Sequence, residues 1–229
     1  MKYHQQKYRD QDKVFLVEGE HLIQEAVKHQ HLIELWMQEG VDFKLDGIET
    51  TIASTKVMKK LSKVQSAQIM IGLCKKPELA IKQNKRVFIC DNIQDPGNLG
   101  TIIRSGLAFN FDAIYCSKDC VDITNDKVIR ATQGAIFQMP IRVVDTINII
   151  KDLQKQGVHV VSCALDKCAV SSLPARQAMA FVLGNEGSGL SQDILQISDS
   201  IYKIDIQHID SLNVAITAGI IAHQFRESE

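Results

Sequence analysis

Three short stretches carry residue types and spacings that could do chemistry: "DNIQDPGNLGTIIRSG" at 91–106, "FVLGNEGSGLS" at 181–191 and "IDSLNVAITAGIIAHQF" at 209–225. In the first, an apolar run, Val87-Phe88-Ile89-Cys90, breaks into Asp95, Pro96, Gly97, Asn98 and Gly100 before a helical pattern resumes. A turn needs only one glycine or an Asn-Gly pair, so this surplus of turn chemistry points to a bound ligand. A helix starting at Asn98 would bury Leu99, Ile102, Ile103, Gly106 and Leu107 and project Arg104 from another side, one turn above Gly100. Asn98 would cap that helix, where free N–H groups and the helix dipole favour an anion such as phosphate. The plainer reading is one capping residue and one surface cation.

In the second stretch, three glycines surround Glu186, leaving a carboxylate with little bulk beside it and backbone that a ligand can approach. In the third, Ser211 is expected to cap a helix on which Ala215, Ala218, Gly219 and Ala222 form a small-residue surface. Ser211 and Asn213 place two neutral polar groups at its start. Each stretch follows an apolar run that reads as a strand, and open α/β sheets bind ligands beyond the carboxyl ends of their strands. None matches GxGxxG or GxxxxGK[ST], so a dinucleotide fingerprint or P-loop is not supported.

The elements that must position these residues alternate. "KVFLVEG", "HLIELWM", "IETTIAS" and "AQIMIGL" read as strands; "EHLIQEAVKHQ" reads as a helix, as does a segment with Val57, Leu61 and Val64 at i, i+4, i+7. Together they make a small α/β domain over residues 1–75. The segment "CKKPELAIKQNKR" has five lysines or arginines, one proline and little apolar periodicity, so a linker is placed at 76–85. From 86 to 229 strand-like runs ("RVFICDN", "DAIYCS", "IRVVD", "VHVVSCAL", "AMAFVLG", "IYKIDI") alternate with helical patterns, which implies a mostly parallel sheet covered on both faces.

With 229 residues, 45% hydrophobic and 23% charged, the composition is that of folded globular domains. The amino terminus "MKYHQQKYRDQDK" has no apolar signal core, and Ser211–Phe225 is too short and polar to span a bilayer; a cytosolic protein without a membrane partner is expected. Six cysteines lie largely in apolar runs, as buried thiols do. Cys116-x3-Cys120 and Cys163-x4-Cys168 lack the partners of a zinc site, and no metal is expected. Charge is uneven: residues 1–86 hold 15 Lys+Arg against 11 Asp+Glu, and residues 87–229 hold 11 against 16. Such a division suits a front module that meets phosphate and a back module that does chemistry.

The ordered set "DPGNLGTIIRSG", "FVLGNEGSGLS" and "SLNVAITAGIIAHQF" resembles the SpoU (TrmH) class of SPOUT methyltransferases, which methylate the ribose 2′-oxygen of RNA, over residues 86–226. "KYR" at 7–9 followed by "FLVEG" at 15–19 resembles the L30e-like substrate-binding domain that often precedes it. The resemblance implies a trefoil-knotted α/β domain that dimerises with a second copy and binds S-adenosylmethionine. It implies Asn98, Arg104, Glu186, Ser211 and Asn213 as the catalytic or substrate-orienting set, Gly184, Ile204 and Leu212 as cofactor contacts, and Lys7 and Arg9 as RNA contacts. Ribosomal RNA is the expected substrate, since the front module resembles ribosomal-RNA binders. Transfer RNA, or a binding factor that has lost catalysis, are the alternatives. Ahead of the third motif the family commonly reads Ile-Pro-Met, whereas here Ile204-Asp205-Ile206 leads into "QHID". The chain also begins almost directly at "KYR", where relatives have an additional initial element.

Overall fold

The computed structural model describes residues 2–63, 68–174 and 176–226. In chain order the helices are α1 (Gln6–Asp12), α2 (Glu20–Lys28), α3 (Thr55–Leu61), α4 (Pro96–Ala108), α5 (Asp126–Thr132), α6 (Thr146–Lys155), α7 (Gln192–Ile197) and α8 (Val214–Phe225). The strands are β1 (Val14–Glu18), β2 (Leu32–Gln38), β3 (Glu49–Ala53), β4 (Met70–Lys75), β5 (Arg86–Cys90), β6 (Ala113–Ser117), β7 (Ile141–Val144), β8 (His159–Cys163), β9 (Met179–Leu183) and β10 (Ser200–Tyr202). The chain forms two compact units, Met1–Glu78 with Asp122–Gln138, and Leu79–Val121 with Met139–Glu229.

The first unit holds a four-stranded sheet in the order β1-β4-β2-β3, with β4 antiparallel to both neighbours and β2 parallel to β3. Two sequence expectations shift here. Helix α3 buries Met58 against Ala53 and Ile71, leaving Val57 44% exposed, so the buried stripe sits one residue away from the Val57 register. Val64 and Ala67, placed by sequence in this helix and in the following strand, lie outside the described residues. The 122–138 segment, which sequence alternation assigned to the carboxy-terminal domain, groups with the first unit, where α5 packs on β1 and Phe137 stacks on Phe15 at 5.8 Å.

Arg9 is the polar centre of that grouping. It is 6% exposed, ion-pairs with Asp122 through Nη2, donates from Nε to Thr124 Oγ1 at 3.0 Å, and donates from Nη1 to the Tyr3 and His4 carbonyls at 3.1 and 2.9 Å. Those bonds take up all three of its nitrogens. The expectation that Arg9 meets RNA is therefore replaced by an internal role, because a guanidinium engaged in this way has little left for a phosphate. Lys7, two residues earlier, is exposed.

The second unit is a six-stranded, wholly parallel sheet in the order β10-β8-β9-β5-β6-β7. Both faces are covered, which is why its central strands read as unbroken apolar runs. On one face Val87, Ile89, Val160, Ala180 and Val182 pack with Ile150 and Leu153 of α6 and Ile194 of α7. The alternate residues turn to the other face: Phe88 stacks on Phe111 at 4.2 Å, and Phe181 meets Phe225 of α8 at 4.9 Å. Helices α4 and α8 pack against each other. The expected strand over "IYKIDI" stops at Tyr202, and the following residues line a cavity instead of extending the ladder. No helix among the described residues is long and apolar enough to cross a membrane.

Replacing Arg9 by Ala would leave Asp122 without its ion-pair partner at a site only 12% exposed. Breaking a buried pair from one side costs about 3–5 kcal/mol, so urea unfolding of R9A should show a loss of that order. A loss under 1 kcal/mol would assign Arg9 no such internal role.

Candidate active site

All three motifs lie in the second unit, and hydrogen bonds join them. Asn213, not Ser211, is the N-cap of α8: its Oδ1 accepts from the backbone N–H groups of Ala215 and Ile216 at 2.9 and 3.2 Å. With Oδ1 committed, its Nδ2 must donate, and it does so to Asn98 Oδ1 at 2.9 Å. Asn98 Nδ2 in turn donates to Glu186 Oε1 at 2.7 Å. The amide orientations are thus set one after another from a helix terminus, and the chain must end on an acceptor, which the Glu186 carboxylate supplies.

Asn98 is available for this because it does not cap α4. That helix begins two residues before the expected start, with Asp95 as N-cap and Pro96 in the first turn; Asp95 Oδ1 accepts from Asn98 N at 2.8 Å. Proline fits the first helical position because its missing N–H would have no partner there. Asp-Pro ahead of an apolar stripe was the sequence signal for this start. Leu99, Ile102, Ile103 and Gly106 are buried as expected, and Leu107 is half-buried.

The loop carrying Glu186 is tied down by a residue that motif reasoning missed. Asn185 Oδ1 accepts from Gly187 N, Ser188 N and Ser188 Oγ, while its Nδ2 donates to the Asn92 carbonyl at 2.9 Å in the loop after β5. Asn185 and Gly189 also form an isolated antiparallel bridge, with Gly189 in the left-handed region at φ 68°. Asparagine directly before Glu186 in a glycine-rich run was the signal available, since Asn side chains hold such turns.

Beyond the carboxyl ends of β8, β9 and β10 opens a cavity of about 680 Å³, the size range of small-molecule sites. Gly184, Ile204 and Leu212, the expected cofactor contacts, all line it, together with Glu186, Ser211 and Asn213. A Cβ on Gly184 would lie 2.8 Å from the Gly189 carbonyl carbon and oxygen and 2.8 Å from Leu190 Cγ, so only glycine lets the loop close over the strand end there. Burial pushes the Cys163 thiol well up in pKa and also raises Tyr202, so both wall groups stay neutral at physiological pH. A neutral thiol is a poor nucleophile, which suits a wall facing an alkylating cofactor. Apolar side chains, a glycine cradle and the neutral Cys163 and Tyr202, with the charged Asp166, Glu186 and Lys203 also in the lining, fit S-adenosylmethionine.

Arg104 stands apart. It is exposed, and among the described residues it bonds to none of Asn98, Glu186, Ser211 or Asn213. Six positions along α4 place it about 9 Å up the axis and roughly 240° around from Asn98. Cys120 Sγ donates to the Cys90 carbonyl at 3.2 Å and accepts from Ile93 N at 3.3 Å, and among the described residues no group of three His, Cys, Asp or Glu is arranged to hold a metal ion.

The model of the SpoU rRNA Methylase family matches residues 85–223, a span that contains all three motifs and the cavity. The chain belongs to this family. Residues 1–72 match the MRM3-like substrate binding domain. Among SpoU relatives, the Bacillus subtilis 23S rRNA (guanosine(2553)-2′-O)-methyltransferase RlmP is 31% identical, covering 98% of this chain and 93% of its own. The Xanthomonas campestris 23S rRNA (guanosine-2′-O-)-methyltransferase RlmB is 29% identical over 87% of this chain and 84% of its own. The AdoMet-bound rRNA methyltransferase of Sinorhizobium meliloti superposes with a TM-score of 0.84 at 25% identity, covering 97% and 90% of the two chains.

For this SpoU site two variants separate positioning from folding. Asn213→Asp keeps the capping oxygen but faces Asn98 Oδ1 with an acceptor; thermal stability should hold while turnover drops on the order of 10²-fold from misplaced groups. Gly184→Ala should lower S-adenosylmethionine affinity at least tenfold by calorimetric titration.

Proposed function

We infer that the protein is an S-adenosylmethionine-dependent methyltransferase that modifies a ribose 2′-hydroxyl of RNA, with ribosomal RNA as substrate. The observation that carries this reading is the hydrogen-bonded run Glu186–Asn98–Asn213 at the rim of the glycine-cradled cavity. The 23S rRNA relatives and the substrate-binding-domain match of residues 1–72 support ribosomal over transfer RNA. A cytosolic location suits that substrate.

Gly184, Ile204 and Leu212 would hold the cofactor, which supplies an electrophilic methyl group on a sulfonium. The chain's own part is positioning: holding reacting atoms in attack geometry is worth about 7–11 kcal/mol at best. Asn98 and Asn213 fix the Glu186 carboxylate, and Ser211 borders the same space as a neutral hydroxyl. The planar guanidinium of Arg104 would bind a nucleotide phosphate and stabilise charge on the ribose oxygen, leaving the proton to a phosphate oxygen or solvent. Lys7 is a phosphate contact in the first unit.

The homodimer and the trefoil knot implied by the resemblance belong to this reading. Ile216 and Ile220, one turn apart on α8, are 55% and 37% exposed, an apolar face that a second copy would cover. Sedimentation should give a dimer; a monomer with full activity would remove it.

The test of function is transfer of labelled methyl from S-adenosylmethionine to unmodified bacterial RNA, read by nucleoside mass spectrometry. A 2′-O-methylnucleoside made by the parent and lost in Arg104→Ala is expected. Arg104→Lys, which keeps charge but loses the planar fork, should be strongly impaired; full activity would overturn the geometric role of Arg104.

A further inference from the structure

The pairing of β5 with β6 ends at Cys90 opposite Cys116, and backbone groups just past that point lose their ladder partners. Buried ones must find others. The Cys90 carbonyl and the N–H groups of Asn92 and Ile93 are in this position, and Ile93 is fully buried. Two side chains at and just after the end of β6 take them up. Ser117 Oγ accepts from Asn92 N at 2.9 Å, while Cys120 Sγ accepts from Ile93 N at 3.3 Å and donates to the Cys90 carbonyl at 3.2 Å.

A thiol has one proton, and Cys120 places it on that carbonyl. At the 3.6 Å contact between Ser117 Oγ and Cys120 Sγ the hydroxyl is therefore the donor. Cys120 N closes the turn by donating to the Ser117 carbonyl at 3.2 Å, and Val121 N donates to the Ile93 carbonyl at 2.9 Å. The segment 91–95 is thus clamped to the end of β6, with the Cys120 sulfur bridging groups that no strand pairs.

Both partners of the Asn98–Glu186 hydrogen bond hang from this segment. Asn92, in the left-handed region at φ 55°, presents its carbonyl to Asn185 Nδ2 at 2.9 Å, and Asn185 holds the turn on which Glu186 sits. Three residues further on, Asp95 caps α4 and accepts from Asn98 N at 2.8 Å. A shift at Ile93 would move the donor and the acceptor of that bond by different amounts. Cys120 itself does not line the cofactor cavity, and the cavity wall has its own tie, from Asp91 N to the Leu183 carbonyl at 2.8 Å.

We propose that Cys120 is a positioning residue for methyl transfer: its thiol holds segment 91–95 so that Asn98 and Glu186 meet, without touching substrate or cofactor. This rests on the methyltransferase reading and adds to it a residue outside the three motifs.

The test uses the full chain with Cys120→Ala, Cys120→Val and Cys120→Ser. Alanine removes both sulfur hydrogen bonds, valine removes them while filling the space, and serine keeps a group that donates and accepts. Alanine and valine should each lower kcat about tenfold with S-adenosylmethionine affinity changed less than about twofold, and serine should restore most of kcat. Because Cys120 acts through the run that Asn213 begins, Cys120→Val combined with Asn213→Asp should cost clearly less than the product of the two single losses. Amide hydrogen exchange over residues 91–98, measured without RNA, should be faster in Cys120→Val than in the parent. Unchanged kcat in both the alanine and valine variants would overturn the proposal, as would fully multiplicative losses in the double variant. So would a fall in cofactor affinity equal to the fall in kcat, the mark of a general loosening. A parent that binds S-adenosylmethionine but methylates no RNA would instead sink the functional reading, whereas unchanged exchange over 91–98 in Cys120→Val would sink the role of Cys120 alone.

Discussion

The site depends on a hydrogen-bond run whose polarity is set at a helix terminus. Unsatisfied N–H groups at the start of α8 take the Asn213 side-chain oxygen, and every later orientation follows from that choice. An amide has one donating and one accepting end, so two in series transmit the helix's demand for an acceptor as an offered donor at Glu186. A carboxylate is the natural terminus of such a run. Residues about 90 and 115 positions apart are held together without any charge being neutralised, which leaves the carboxylate's second oxygen available at the cavity rim.

That run works only because the glycine-rich loop closes tightly. The 2.8 Å approach that a Cβ on Gly184 would make to the Gly189 backbone shows how little room there is, and Asn185 uses both ends of its amide to hold the turn. The strands beneath are rigid for an ordinary reason: a parallel sheet buried on both faces has no solvated side on which to slip register.

Two buried arginines do structural work that their charge alone would not suggest. Arg9 gathers an ion pair, a hydroxyl and two carbonyls in the first unit; Arg86 gathers four carbonyls in the second. The first balances its charge with Asp122 and becomes internal mortar. The second donates to backbone carbonyls next to the amino ends of β5 and β9 and near the end of α8, tying those segments together.

The sequence by itself determined the alternation of elements, the three motifs and the family, because apolar periodicity and glycine-rich turn chemistry are local properties. Burial of Leu99, Ile102, Ile103 and Gly106 was legible for the same reason. Tertiary structure decided which polar group does what. Asp95 and Asn213, not Asn98 and Ser211, cap their helices, and Asn98 is thereby released for Glu186. Arg9 turned inward because Asp122, 113 positions later, waits for it, and residues 122–138 joined a unit that precedes them by half the chain. Capping and pairing are competitions among several adequate partners, and the winner depends on distances between segments remote in sequence, which no local pattern encodes.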